Sequence, residues 1–414
     1  MTSRCAAFIL YGYPLGVSTM VINSIIMFAR RGYAVDVVID RENYETSPIY
    51  FTEPNVNLIF YRGNGKFLVR LFQFASDRLK RFSLSMLSEM APFSAALLYI
   101  SPMLFAFSRW LRSALPLSEY DFIIPVDYRS LVALHSCREK GNIVYYDMEL
   151  MDWKENCHLY QNKLYWKKLE HRMICQIGCV AIQSEPRAEL FAEINRYTRD
   201  RIHLLPVASM GEPIVAKSDF FRRKFGIPPD QTIVIYSGNF REWAYCLEII
   251  ESARFWPDKF SLVMHTWKAS NVHTAYFAKM KRAATGVRVY LSTEYLEPEA
   301  LAPALSSADI ALMFYRPIDG NFTEIMHSSN KLGEYLKAGL PVICSNFETL
   351  REFVTGHGIG VPISSLDDLP QALWQVTEQL PTFRLRALDC YQRNFRFEPF
   401  FERFYSEIAQ VADN

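Results

Sequence analysis

Residues 328–345, SSNKLGEYLKAGLPVICS, set the frame for this 414-residue chain. Ser328, Ser329, Asn330 and Lys331 open a helix, Ala338-Gly339 ends it, and an apolar strand starts at Leu340-Pro341. A helix start gathers free backbone N–H groups and the positive end of the helix dipole in one place. The hydroxyl, amide and ammonium donors of those four residues add to it, and the combination suits a phosphate. Glu334, one turn further in, is placed to reach a sugar hydroxyl beside that phosphate.

Working outward, the whole chain reads as a folded α/β protein. Half of its residues are hydrophobic and 21% are charged, and the length predicts two or three domains with their own cores. With 45 basic against 44 acidic residues, bulk charge does not point to nucleic acid. Eight cysteines, at 5, 137, 157, 175, 179, 246, 344 and 390, show no paired framework, which favours a reducing cytoplasm. The opening MTSRCAAFILYGYPLG has too short an apolar run for a signal peptide and fits a first strand. Residues 91–108, APFSAALLYISPMLFAFS, carry no charge and reach spanning length; they include Pro92 and Pro102 and are flanked by Glu89 and Arg109, and buried helices of the first domain or a surface that touches lipid are better readings than a spanning helix.

Strand-like and helix-like segments alternate almost throughout, the pattern of parallel sheets flanked by helices. Residues 5–11 read as a strand, 12–18 as a loop, 19–31 as an amphipathic helix and 35–40 as the next strand. This is a Rossmann-like opening without the three-glycine fingerprint. Only Gly12 and Gly16 are present, and Gly16 with Ser18 offers a ligand access to backbone. Residues 64–115 interleave Lys66, Arg70, Arg78, Lys80 and Arg81 with aromatic and aliphatic side chains; both a solvated basic face and a surface resting on anionic lipid fit that pattern. A linker rich in proline and small residues at 206–218 divides the chain. The expected organisation is an N-terminal domain over 1–205, a second over 219–382 and helices over 383–414 packing back on the first. The second domain restarts with a strand at 232–237, a loop at 238–241 and a helix at 242–253.

The expected architecture is therefore two Rossmann-like doubly wound domains facing each other across a cleft, with ligands at the carboxyl ends of the strands. Three loops of the second domain would face that cleft. Gly238-Asn239-Phe240-Arg241 follows a strand, and the Arg241 guanidinium has the fork geometry for a diphosphate. The loop 315–327 holds Arg316, Asp319 and Asn321, suited to a sugar, and the third element is the 328–334 helix start. No metal cluster is expected. His171, Cys175 and Cys179 recur every four residues, but Gly178 separates a helix from a strand there, so core packing is the better reading. His265 reads as a satisfied strand-end histidine.

The run ADIALMFYRP, then GN, then SSNKLGEYLKAGLPVICSN, LREFV and GIGVPI resembles the nucleotide-binding half of GT-B glycosyltransferases, closest to the family 4 type. VIYSGNFREW resembles the opening of that family's second domain, and YPLGVSTMVINSIIMFARRGYAVDVVI its first βαβ unit. The resemblance implies that Glu334 binds the ribose of a nucleoside diphosphate. It implies that Arg241 and Lys331 hold the diphosphate, helped by N–H groups near Ser329 and Asn330. Many relatives carry a second glutamate eight residues before the first; Met326 stands there in this chain, with Glu324 and Asp319 off register. The first domain would supply the acceptor side. VYYDMELMDW places Asp147, Glu149 and Asp152 after an apolar strand, and a carboxylate there can position an acceptor or stabilise positive charge at the sugar carbon. Glu149 is the first candidate and Asp147 the second, with Asp127 and Arg129 a weaker pair.

The expectation is a glycosyltransferase of polysaccharide or glycoconjugate synthesis, cytoplasmic and peripheral on the inner face of the membrane. It would take a nucleoside-diphosphate sugar as donor and a glycan or lipid-linked acceptor, with no separate cofactor and no metal. A nucleotide-sugar epimerase of the same architecture and a non-catalytic partner protein are the alternatives.

Overall fold

Consecutive, not alternating, apolar residues build the strands, as expected where a parallel sheet is covered on both faces. In the strand Cys5–Leu10 every residue from Ala6 onward is fully buried, and Thr232–Ser237 is buried along its whole length. The computed structural model describes residues 4–46, 48–63, 101–136, 143–153, 161–266, 269–296 and 298–413. They divide into one unit of Met1–Pro206 with Glu398–Asn414 and another of Val207–Phe397.

The first unit holds a seven-stranded sheet of β1 (Cys5–Leu10), β2 (Ala34–Asp40), β3 (Val56–Tyr61), β4 (Phe122–Val126), β5 (Val144–Tyr146), β6 (Cys179–Ile182) and β7 (Ile202–Leu204). The order is β3-β2-β1-β4-β5-β6-β7, with parallel pairing throughout. Helices α1 (Thr19–Arg30), α2 (Asp127–Ala133), α3 (Gln161–Ile174) and α4 (Glu185–Asn195) lie in the crossovers. Ser18 caps α1 by accepting the Val21 N–H. Pro125 lies within β4, opposite Ile9, and brings no N–H to the ladder. The pairing with β5 is thin, Val126 against Tyr146 and an isolated bridge between Ile123 and Ile143.

The second unit repeats the plan with β8 (Thr232–Ser237), β9 (Phe260–His265), β10 (Val289–Ser292), β11 (Ile310–Met313), β12 (Val342–Ser345) and β13 (Gly360–Ile363), in the order β10-β9-β8-β11-β12-β13. Helix α5 (Asn330–Lys337) enters β12, and α6 (Leu380–Asn394) packs beside it. Arg384 of α6 donates to the carbonyls of Ala338 and Gly339, closing the end of α5. The helix expected over 242–253 is broken. A 3-10 turn at Glu242–Ala244 precedes Cys246–Ser252, because Tyr245 turns left-handed at φ 54° between them.

Helix α7 (Phe397–Asp413) separates the aromatic residues of the tail. Phe395 packs in the second unit against Gly333, His327 and Phe353. Phe401 and Phe404 pack in the first unit, on Phe28 and Tyr146 respectively. Within the first unit, Arg31 pairs with Glu402, and the hydroxyls of Tyr33 and Tyr405 meet at 2.8 Å.

Most of the basic-aromatic segment, with Lys66, Arg70, Arg78, Lys80 and Arg81, lies outside the described residues, as do Cys137 and Cys157. Of the uncharged stretch, the described part belongs to the helix Pro102–Ala114, which Ser101 caps and which buries Leu104, Phe107 and Leu111. Among the described residues no helix is long and apolar enough to cross a membrane.

Phe401 is fully buried and meets Phe28 edge-on at 5.3 Å. Phe401→Ala should destabilise the first unit by about 3–5 kcal/mol in chemical denaturation; a loss below about 1 kcal/mol would show that α7 contributes little to that core.

Candidate functional site

In each sheet the chain winds outward from one central strand and then starts again on its other side. The reversal falls between β1 and β4 in the first unit and between β8 and β11 in the second. Loops leaving adjacent strands at such a point diverge and open a crevice above their carboxyl ends. Some of the sequence-predicted residues lie near these two places and others do not.

At the second reversal, Tyr335 ties α5 to both strands. Its hydroxyl accepts the Ser237 N–H at 2.8 Å and lies 3.2–3.3 Å from the carbonyls of Ser237 and Leu312. The first turn of α5 therefore sits directly over the gap. Ser329 is its N-cap, accepting the Lys331 N–H at 3.3 Å and bonding the Tyr315 hydroxyl at 2.8 Å. The Lys331 ammonium lies 3.2 Å from that hydroxyl and packs on the rings of Tyr315, Tyr236 and Trp243 at 4.5–5.4 Å. No carboxylate among the described residues pairs with it. Gly238 makes this position available: a Cβ there would lie 2.4 Å from Lys331 Cε, at a φ of 150° that side chains avoid. The glycine loop and the helix start, distant in sequence, thus meet at one cation.

The remaining residues of this unit divide between site and scaffold. Arg241 is exposed beside the same loop. Arg316 is taken up structurally, stacking on Tyr245 at 4.4 Å and pairing with Glu248, and Asp319 caps a short helix through the Asn321 N–H. Glu334 is half-buried and receives the hydroxyl of Ser209 from the linker segment. Burial pushes its carboxyl up, while Lys337 and the Ser209 hydrogen bond act the other way. Met326 packs against the unit's core. His265 is buried with Nδ1 3.1 Å from Ser292 Oγ, and burial lowers its pKa to about 4, so it is neutral. Ser209 and the Tyr236–Trp243–Tyr315 aromatic wall were not singled out from sequence; only aromatic residues at the ends of two predicted strands hinted at the wall.

At the first reversal the groups are acidic. Asp127 follows β4 as the first residue of α2, Asp147 follows β5, and Glu149 is exposed two residues later. The loop after β1, which contains Gly16, is held to α2: the Tyr11 N–H reaches Ser130 Oγ at 3.0 Å, and Arg129 extends to the Gly12 carbonyl. Asp147 is held from below. Tyr145 donates to Glu170 at 2.8 Å and lies 3.4 Å from Asp147, and Glu170 pairs with the buried Lys167. Gln183 donates to the Asp147 carbonyl and Arg187 to that of Met148. Burial, then the nearby Glu170, raise the Asp147 carboxyl to about 7 against the pull of Arg187 and Lys167. Asp152 instead lines a cavity of about 530 Å³ with Trp153, His171, Glu193 and Arg196. Cys179 is buried in β6 and Cys175 exposed, and no group of potential metal ligands occurs among the described residues.

An unfolded aspartate titrates near 3.9, so folded Asp147 holds an extra proton between about pH 4 and 7. Its contribution to stability is present below that window and is lost as pH rises through it. Asp147→Asn should therefore raise Tm by an amount that grows from near zero at pH 4 and levels off above pH 7; a pH-independent difference in calorimetry would contradict this.

Comparison with known proteins places the fold. Residues 257–402 match the family described as Glucosyltransferase 3-like, C-terminal domain. A comparison of the sequence with curated proteins gives no match. Among solved structures, sucrose-phosphate synthase from Thermosynechococcus elongatus is 16% identical, with 99% of each chain covered and a TM-score of 0.69. Anabaena HepE in complex with UDP-glucose is 13% identical over 98% of this chain and 99% of its own, with a TM-score of 0.68. A glycosyltransferase from Rickettsia africae is 11% identical over the full length of both chains, with a TM-score of 0.61. The chain thus has the two-sheet α/β fold of GT-B glycosyltransferases, and its second unit is similar to the C-terminal domain of glucosyltransferase 3-like proteins.

Proposed function

We propose that this chain is a glycosyltransferase that moves a sugar from a nucleoside-diphosphate donor to a hydroxyl of a glycan or lipid-linked acceptor. The observation that carries the reading is the Lys331 ammonium, held over Gly238 at the start of α5 with no carboxylate partner among the described residues. Such a cation, at the positive end of a helix dipole, suits the charge that builds on a departing diphosphate. The family match of the second unit supports the same reading, as does HepE, a fold neighbour that binds UDP-glucose.

In this reading Lys331, the exposed Arg241 and the N–H groups around Ser329 and Asn330 hold the diphosphate. Gly238 keeps that surface open, and Glu334, oriented by Ser209, takes the ribose hydroxyls. The bond from the sugar carbon to the diphosphate breaks with its electron pair leaving on the phosphate oxygen. Glu149 and Asp147 of the first unit, with backbone near Gly16, position the acceptor and stabilise positive charge at the sugar carbon. Donor binding would belong to residues 219–382 and acceptor binding to residues 1–205. The basic-aromatic segment 64–115 would bring the enzyme to the inner face of a membrane where lipid-linked acceptors reside.

Calorimetry with UDP and UDP-glucose tests the donor site. Wild type should bind both. Lys331→Ala should bind UDP about 10–100-fold more weakly, the loss expected for one charge-assisted hydrogen bond, and Gly238→Ala should weaken it in the same direction by displacing the lysine. Unchanged affinity in Lys331→Ala would remove the site assignment, and no binding of UDP-, GDP- or ADP-sugars by wild type would remove the function. Isomerised sugar nucleotide formed without acceptor would favour an epimerase instead.

A further inference from the structure

We infer that the first unit carries a separate binding site for one or two neutral sugar rings, beside helices α3 and α4; the inference does not depend on the donor-site reading. Asp152 and Trp153, in the loop after β5, line a cavity of about 530 Å³ together with residues of both helices. That volume falls within the range of small-molecule pockets, about 300–1,000 Å³. His171 contributes from the later part of α3, and Leu190 and Ile194 from the second half of α4. Asp127, Asp147 and Glu149 do not line it, so it is distinct from the acidic groups at the sheet's winding reversal.

The lining has a floor and a rim. Trp153, His171, Leu190 and Ile194 are half-buried, whereas Glu193 and Arg196 are exposed at the end of α4. Trp153 is fixed in place before any ligand arrives. Its indole N–H donates to the Ile194 carbonyl at 2.9 Å, and its ring meets that of His171 edge-on at 5.5 Å. The buried Lys167 ammonium lies 5.9 Å from the same ring. Arg196 is also held by the framework, since it ends α4 in the left-handed conformation at φ 51°, with its N–H turned back to Ala192 and Glu193. An aromatic plate and a rim charge set by helix ends lose little freedom on binding. His171 Nδ1 is sealed without a partner among the described residues, so that ring can serve a ligand only through Nε2.

The chemistry of the lining selects the ligand. It carries two carboxylates against one guanidinium and one imidazole, so it offers no net positive field to hold a phosphate or a nucleotide. A sugar ring matches it on both counts. Its C–H face packs on an indole and on aliphatic side chains, and its hydroxyls are at once donors and acceptors. Asp152 and Glu193 accept from such hydroxyls, and Arg196 donates to them. In a glycosyltransferase, a sugar held here raises the effective concentration of the chain to which it belongs.

The test is a ligand-observed NMR titration of the full chain with maltose, cellobiose, lactose and N,N′-diacetylchitobiose, with UDP and inorganic phosphate in parallel. Wild type should bind at least one disaccharide with a Kd of about 0.1–10 mM. Trp153→Ala should weaken that binding at least about tenfold. Glu193→Gln and Arg196→Asn leave the floor untouched, and asparagine tolerates the left-handed turn. Each should weaken the disaccharide about 3–10-fold, the loss of one hydrogen bond, with Tm within about 2 °C of wild type and UDP affinity within about twofold. No disaccharide bound by wild type, displacement of the sugar by phosphate, or unchanged sugar affinity in Glu193→Gln and Arg196→Asn would overturn the site. A wild-type chain that binds disaccharide but no nucleotide loses the function proposed above and keeps this site; one that binds UDP but no disaccharide loses this site alone.

Discussion

The structure depends on a constraint of parallel sheets: strands buried on both faces leave ligands no access to the sheet except at the strand ends. Right-handed crossovers send the loops on either side of a winding reversal in opposite directions. One reversal separates β1 from β4 and the other β8 from β11. The groups proposed to touch substrate stand in the loops and helix starts at the carboxyl ends of the strands at these gaps or of the next strand out. The apolar strands themselves, Ala6–Leu10 and Thr232–Ser237, carry no chemistry and hold the loops at fixed spacing.

The two gaps are furnished with opposite charge. The second unit offers an ammonium in an aromatic setting with a capped helix start beneath it, and no carboxylate among the described residues pairs with it. The first offers carboxylates, two of them buried and with raised proton affinity. Their scaffolding differs accordingly. Lys331 is held by neutral contacts, the Tyr315 hydroxyl and the rings of Tyr315, Tyr236 and Trp243. Asp147 is held by a charged network that includes the buried Lys167–Glu170 pair, and burying that pair is worthwhile only because its partners are satisfied in place.

Much of the proposed donor side lies in one contiguous segment of sequence. Ser329, Lys331 and Glu334 lie within a single helix start, so local capping rules and periodicity reach them. Arg316 and Asp319 looked equally suitable in sequence, yet Glu248, Tyr245 and the Asn321 N–H occupy them. A residue's type declares its chemistry, but whether a neighbour already uses that chemistry depends on partners far along the chain. Ser209 on Glu334 is the same case, 125 residues distant.

The sequence by itself determined the two Rossmann-like halves, the position of the capped helix and the residue types able to hold a diphosphate, because each is set by short-range pattern and propensity. Only the tertiary structure decided that Gly238 exists to make room for Lys331 and that the tail divides at Phe395 and Phe401 between two cores. It alone turned Asp127 into a left-handed elbow. The physical reason is common to all three. Steric room, burial and backbone strain are properties of packed neighbours, and those neighbours are brought together by sheet order, which no local stretch of residues encodes.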